Sequence, residues 1–288
     1  MHLLWMSTGA SVPALDAPVR YGDPRRRTSG VRRARHALLL LAAVTTGSCS
    51  NDATEPPGGN NGTGGTHTYD HARAPGASAR DLLSDESFDQ LVVEVQYVDG
   101  FPPTDEALET LRTFLGDRLN KPAGIVIRTP EPIQITQQPT YSAADIRALE
   151  SQHRTVFTEG TTLGLYVLFL NGEYEDNPNV LGIAYNNTST AIFGGKIRQH
   201  TGGLTQPSRA RVEATVASHE LGHLMGLVAN GSDMQVEHQD EENGHHCDVE
   251  GCLMYYAVNT TDFLANLFDT QPTLDPSCLE DLRANGGA

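Results

Sequence analysis

Apolar and polar positions follow one another in a readable order from about residue 81 onward. Leu91 to Tyr97 (LVVEVQY) alternates as a half-buried strand does. Thr104 can cap a helix that carries Leu108, Leu111, Leu115 and Leu119 on one face. Gly124 to Ile127 reads as a second strand. Ser142 and Asp145 then open a further helix with the two halves of a capping box, and its Ile146 and Leu149 face inward. Leu163 to Leu170 (LGLYVLFL) is apolar throughout, the pattern of a strand covered on both faces. Val180 to Tyr185 and Ala191 to Ile197 are weaker strands separated by the polar Asn186-Asn187-Thr188. This alternation of strands and helices predicts an α/β (α+β) domain, a mixed twisted sheet with helices packed on it, over residues 81–288.

The preceding residues are of a different kind. Arg25 to Arg35 is a basic run, Ala37 to Val44 (ALLLLAAV) is continuously apolar, and Thr46-Gly47-Ser48 leads to Cys49. That order is a secretory signal over residues 1–49, and the apolar run is far short of the ~20 residues a membrane-spanning helix requires. A cysteine directly after small residues resembles a bacterial lipoprotein signal, which implies lipid attachment at Cys49; ordinary secretion is the alternative. Residues 50–80, rich in Gly, Asn, Pro and Thr and without periodicity, read as a flexible tether. The protein is therefore expected outside the cytoplasm, tethered to a membrane through a lipid or secreted.

Charge sharpens this division. The 288 residues carry a net charge of -16, but residues 1–49 carry seven Arg against Asp16 and Asp23. The chain beyond the signal is thus more acidic than the total suggests, which argues against a nucleic-acid partner, because reading a phosphate backbone needs clustered Lys and Arg.

The stretch with chemistry is Arg209 to Ala229 (RARVEATVASHELGHLMGLVA). Val212, Val216, His219, His223 and Gly226 fall along one helical face, while Ala217, Leu221, Leu224 and Val228 form a second apolar stripe. A helix buried nearly all round cannot carry two imidazoles and a carboxylate cheaply unless a partner satisfies them. His219 and His223, four residues apart, can reach one metal ion, and Glu220 projects about 100° around the helix, beside the ion instead of on it. The pattern predicts a zinc site in which Glu220 activates water. The helix is expected to continue to Asn230-Gly231, and the polar segment beyond it contains His238, His245 and His246.

His246-Cys247, four residues, then Cys252-Leu253-Met254 resembles the archaemetzincin pattern, in which the third zinc histidine directly precedes the first cysteine. In other metzincins that histidine stands six residues after the second, where this chain has Ala229. The resemblance therefore implies a metzincin-like zincin with an insertion of about fifteen residues before its third histidine. It makes His246 the third ligand, with His238 as rival, and Met254 the methionine of the turn beneath the zinc. Tyr256 stands where astacin-like and serralysin-like metzincins carry a tyrosine that steadies the oxyanion. Archaemetzincins hold a second, structural zinc with the two cysteines and a later CxxC. Here Cys247 and Cys252 match, while the later pair appears as Asp275-Pro276-Ser277-Cys278. A second zinc on Cys247, Cys252, Asp275 and Cys278, or a disulfide among the three cysteines, are both open.

The function these readings imply is a zinc-dependent endopeptidase acting on a peptide or protein substrate outside the cytoplasm. The alternative is a catalytically silent, surface-tethered binding protein on the same fold.

Overall fold

The computed structural model describes residues 69–267 and 270–288; the signal reading and Cys49 lie outside them. The elements are, in order, α1 (Ala79–Leu83), β1 (Gln90–Tyr97), α2 (Asp105–Gly116), β2 (Gly124–Arg128), β3 (Thr140–Tyr141), α3 (Ala143–His153), β4 (Thr162–Phe169), β5 (Glu173–Tyr174), β6 (Gly182–Asn186), β7 (Ser189–Ile192), α4 (Gly194–Gln199) and α5 (Arg209–Leu224). Two 3-10 segments, Tyr256–Asn259 and Thr261–Leu267, precede α6 (Pro276–Ala284).

Five strands form one sheet in the order β2-β1-β4-β7-β6. β1 pairs in parallel with β2 and β4, and β4 with β7. β6 returns antiparallel along β7 through the turn at Asn187-Thr188 and so forms an edge. β3 and β5 make a separate two-stranded ladder. One core layer lies between the sheet and α2 and α5, built from residues such as Val93, Leu115, Val167, Val216 and Leu221; the other, with Ile146, Tyr166, Leu168 and Phe193, lies under α3.

Local signals account for much of this. The Thr104 hydroxyl caps α2 by accepting from the Ala107 N–H at 3.2 Å, and Ser142 and Asp145 close both halves of the box at α3. α2 ends at Gly116, so Leu119 is buried from beyond the helix, while Leu108 is only partly covered.

β1 is not half-buried as its alternation suggests: Leu91 to Gln96 are all buried. Its polar residues serve internal bonds. The Glu94 carboxylate accepts from the Thr155 N–H at 2.8 Å and the Val156 N–H at 2.7 Å, and the Gln96 amide donates to the Glu131 carbonyl. A polar position in a strand was thus a hydrogen-bond anchor and not a solvent face.

The last strand is also shorter than expected. It stops at Ile192, and Gly194–Gln199 is helical. At Gly195 the chain passes so close to Asn171 that a Cβ would stand 1.6 Å from its carbonyl oxygen, so the strand leaves the sheet there.

The segment from residue 69 to residue 80 belongs to the folded unit, although a tether through residue 80 was expected. Tyr69 Oη donates to Asp81 at 2.8 Å, His71 Nδ1 lies 2.7 Å from Thr188 Oγ1, and Asn187 Nδ2 donates to the Asp70 carbonyl. These contacts are polar and long-range, which is why composition alone reads the segment as linker.

Candidate metal centre

α5 starts at Ser208, whose hydroxyl accepts from the Arg211 N–H, and it is buried on nearly every side, including His219, Glu220 and Gly222. Glu213, also in this helix, accepts from Thr104 Oγ1 at 2.9 Å and from its N–H at 2.8 Å, and pairs with Arg209.

The helix does not run to Asn230. It ends at Leu224, and Gly226 takes a left-handed conformation with φ of 78°. A Cβ there would meet Ser232 Oγ at 2.6 Å, the Ala79 Cβ at 2.7 Å and the Ser232 main-chain nitrogen at 2.7 Å, so only glycine fits. Val228 and Ala229 also adopt positive φ, and the chain loops outward before returning at His246. The apolar residues that prolonged the helical pattern are buried in this turn.

His219, His223 and His246 bring one ligand nitrogen each within 4.8 Å of one another. Nε2 of His223 lies 3.2 Å from Nε2 of His219. Zinc bound by nitrogens at 2.0–2.1 Å in a tetrahedron would separate them by about 3.4 Å, so the spacing fits. Nδ1 of His219 lies 2.8 Å from the Leu253 carbonyl, and Nδ1 of His246 lies 2.7 Å from that of Asn243. A carbonyl only accepts, so both Nδ1 atoms carry the proton and both Nε2 atoms present a lone pair. Burial, helped by His246, pushes His219 down to about 3. Burial and the neighbouring imidazoles hold His223 well below its ordinary value, and burial also lowers His246. Three neutral imidazoles, two of them with lone pairs oriented by a carbonyl, are a donor set suited to zinc.

Glu220 lies beside this triad. Burial pushes its carboxyl up to about 8, against the opposing Ala184 N–H. Its Oε1 accepts from Asn259 Nδ2 at 2.6 Å. The edge strand passes directly over it: a Cβ on Gly182 would stand 3.0 Å from Glu220 Cγ. Met254 is fully buried, and its sulfur lies 2.3 Å from where a Cβ on Gly222, between His219 and His223 in α5, would stand. The same turn supplies the Leu253 carbonyl that orients His219. Tyr256 is 38% exposed, with its ring 4.8 Å from that of Tyr255. His245 Nδ1 donates to the Val228 carbonyl at 3.1 Å and braces the inserted loop.

His238 is not near this triad but in a second cluster. His238, Cys247, Asp275 and Cys278 bring ligand atoms within 4.8 Å of one another. His238 Nδ1 lies 3.5 Å from Cys247 Sγ and 3.9 Å from Cys278 Sγ, and Cys252 Sγ lies 3.7 Å from Cys278 Sγ. A disulfide needs about 2.05 Å, whereas tetrahedral zinc at about 2.3 Å from each sulfur separates them by about 3.8 Å. Cys247, Cys252 and Cys278 are all free. Thiol contacts from Cys247 and Cys278, with the Asp275 and Met254 N–H groups, lower Cys252 to about 4, and the same sulfur contacts raise Cys278. Asp275 turns one oxygen to the Cys278 N–H at 2.8 Å, capping α6, and its other lies 3.8 Å from Cys247 Sγ. Nε2 of His238 contacts Asp281 Oδ2 at 2.8 Å, the carboxylate partner that ligand histidines usually have.

Sequence reasoning missed two residues here, Asn259 and Asp281. The His238 assignment was missed because the residue lies nine positions before Cys247, inside an insertion without internal periodicity. Asp275 in place of a cysteine was the signal that another donor had to come from elsewhere.

No protein-family model matches the sequence, and no curated protein matches it. Among solved structures, the chain is similar to archaemetzincin from Methanopyrus kandleri, with a TM-score of 0.46 and 15% identity, covering 69% of this chain and 96% of that one. It is also similar to metalloproteinase-II from Bacteroides fragilis, with a TM-score of 0.40 and 13% identity, covering 70% of this chain and 54% of that one.

Proposed function

We propose that this chain is a zinc-dependent endopeptidase that acts outside the cytoplasm. The observation that carries the reading is the convergence of His219, His223 and His246 beside the buried carboxylate of Glu220, under an edge strand. The three imidazoles would hold zinc, which when bound polarises a carbonyl and acidifies water. Glu220 accepts the proton of the attacking water and returns it to the leaving amine. β6 is the antiparallel edge of the sheet, and an extended peptide would add along it as a further strand. Tyr256 is the candidate hydroxyl for the developing oxyanion.

A second zinc is structural. Cys247, Cys252 and Cys278 supply three sulfurs and His238 the fourth donor, with Asp281 orienting the imidazole and Asp275 capping α6. Cys49 is the candidate lipid-attachment residue, which would hold the chain at a membrane; ordinary secretion is the alternative.

The full chain loaded with zinc and offered a peptide library tests the reading. Cleavage should stop with a chelator and return with zinc. A chain that binds zinc at His219, His223 and His246 yet cleaves no member would overturn it in favour of a binding role.

A further inference from the structure

Asn259 is the last residue of the 3-10 turn that follows Met254, and it is 9% exposed. All the hydrogen-bonding capacity of its amide nitrogen is committed. Nδ2 donates one hydrogen to Glu220 Oε1 at 2.6 Å and the other to the Gly182 carbonyl at 2.9 Å. Oδ1 accepts from the Leu181 N–H at 3.2 Å, and the Asn259 carbonyl accepts from the same N–H at 3.0 Å. The orientation of this amide is dictated by its partners. Rotated by half a turn, Oδ1 would face the Gly182 carbonyl, which cannot donate, and Nδ2 would face the Leu181 N–H, which cannot accept.

The neighbouring backbone extends the same connection. Val180 and Thr260 form an antiparallel bridge, and the Thr261 N–H donates to the Asn179 carbonyl at 3.0 Å. The chain after Met254 therefore pairs with the residues that lead into β6, and Asn259 is the point at which that pairing reaches Glu220. Gly182 has no side chain to interpose, which lets the strand, the amide and the carboxylate meet.

We propose that Asn259 is a positioning residue, whose amide ties the Glu220 carboxylate to the edge strand so that the base and the strand that receives substrate are held in one register. The catalytic consequence rests on the peptidase reading above; the tie itself does not. A mobile carboxylate in this pocket would have to find its working orientation at each turnover, and a bond to an ionised acceptor is among the stronger neutral-donor contacts.

A double-mutant cycle on inhibitor affinity tests this separately from turnover. A peptide hydroxamate chelates zinc with its two oxygens and donates its hydroxyl hydrogen to an adjacent carboxylate. Its affinity for the zinc-loaded full chain is measured by calorimetry for wild type, Asn259→Ala, Glu220→Ala and the double variant. Asn259→Ala should weaken binding about tenfold when Glu220 is present and less than about twofold when it is absent. Peptide turnover should lose about ten- to a hundredfold in kcat with KM nearly unchanged. Asn259→Leu, which fills the volume and keeps the main-chain bond to Leu181, should behave like Asn259→Ala while keeping full zinc content.

Equal weakening in both backgrounds, no weakening, or loss of zinc in both Asn259 variants would overturn the proposal. Failure of every form to bind the hydroxamate would overturn it together with the metal-site reading. Coupling without cleavage of any peptide by the wild type would support the proposal and sink only the peptidase reading.

Discussion

At Glu220, burial works against the charge that the chemistry needs. The carboxyl is raised from 4.5 to about 8 in the folded chain without metal. Between those values the folded state keeps a proton that the unfolded state has released, so metal-free stability falls as pH rises through that window. Glu220→Gln removes this cost. Its metal-free form should be more stable than wild type at pH 8 by on the order of 2 kcal/mol, read by chemical denaturation, with the difference shrinking towards pH 5.

His219 runs in the opposite direction. It titrates at 6.5 when unfolded and at about 3 when folded, so its contribution is lost as pH falls below 6.5. Acidification should release zinc over that range, because protons compete for the same nitrogens. His219, Glu220 and His223 were legible in the sequence because four-residue spacing on one helix is a local signal. His246 was legible only through the cysteine that follows it. Asn259 was not legible, since its partners, Leu181, Gly182 and Glu220, lie about 40 to 80 positions away and a lone asparagine after a turn has no pattern.

Among the elements, the end of α5 decides where the triad can form. Periodicity carried the helix through Val228, yet the left-handed Gly226 turns the chain away after Leu224. Gly226→Ala would have to adopt that conformation and displace Ser232 or Ala79. It should lower stability by about 1–3 kcal/mol and weaken zinc retention, as followed by thermal melting and metal content. A helix that continued would have carried the following residues away from His219 and His223.

The sheet shows the same limit of local pattern. Apolar continuity identified β4 correctly, because nothing polar interrupts it. Alternation misjudged β1, because Glu94 and Gln96 are turned towards buried donors and acceptors that loops supply. Capping residues at Thr104 and Ser142 fixed their helix starts well, since a cap is a contact over three residues.

Over the whole molecule, two clusters of metal donors flank one turn, Cys252 to Tyr255. Cys247 follows His246 directly, so the cysteine cluster and the histidine triad share a stretch of backbone, and the Cys247 N–H donates to the Met254 carbonyl at 2.8 Å. The full chain should therefore hold two zinc ions. Cys278→Ser should lose one of them and lower the melting temperature by about 10 °C, as expected for removing a few kcal/mol of metal-linked stability from a domain of this size. Metal analysis alongside calorimetry checks this; retention of both ions would show that Cys278 is not a ligand. Ahead of the folded unit, Cys49→Ser should move the protein from the membrane to the soluble fraction if the cysteine carries a lipid.

The claim on which the rest depends is that Glu220 acts on water at a zinc held by His219, His223 and His246. The rate of peptide cleavage by wild type and by Glu220→Gln, compared at equal zinc content, tests it most directly. A loss of about a hundred- to ten-thousandfold with zinc binding intact is the expected result. Equal rates for the two forms, or no metal-dependent cleavage by a zinc-loaded wild type, would contradict it.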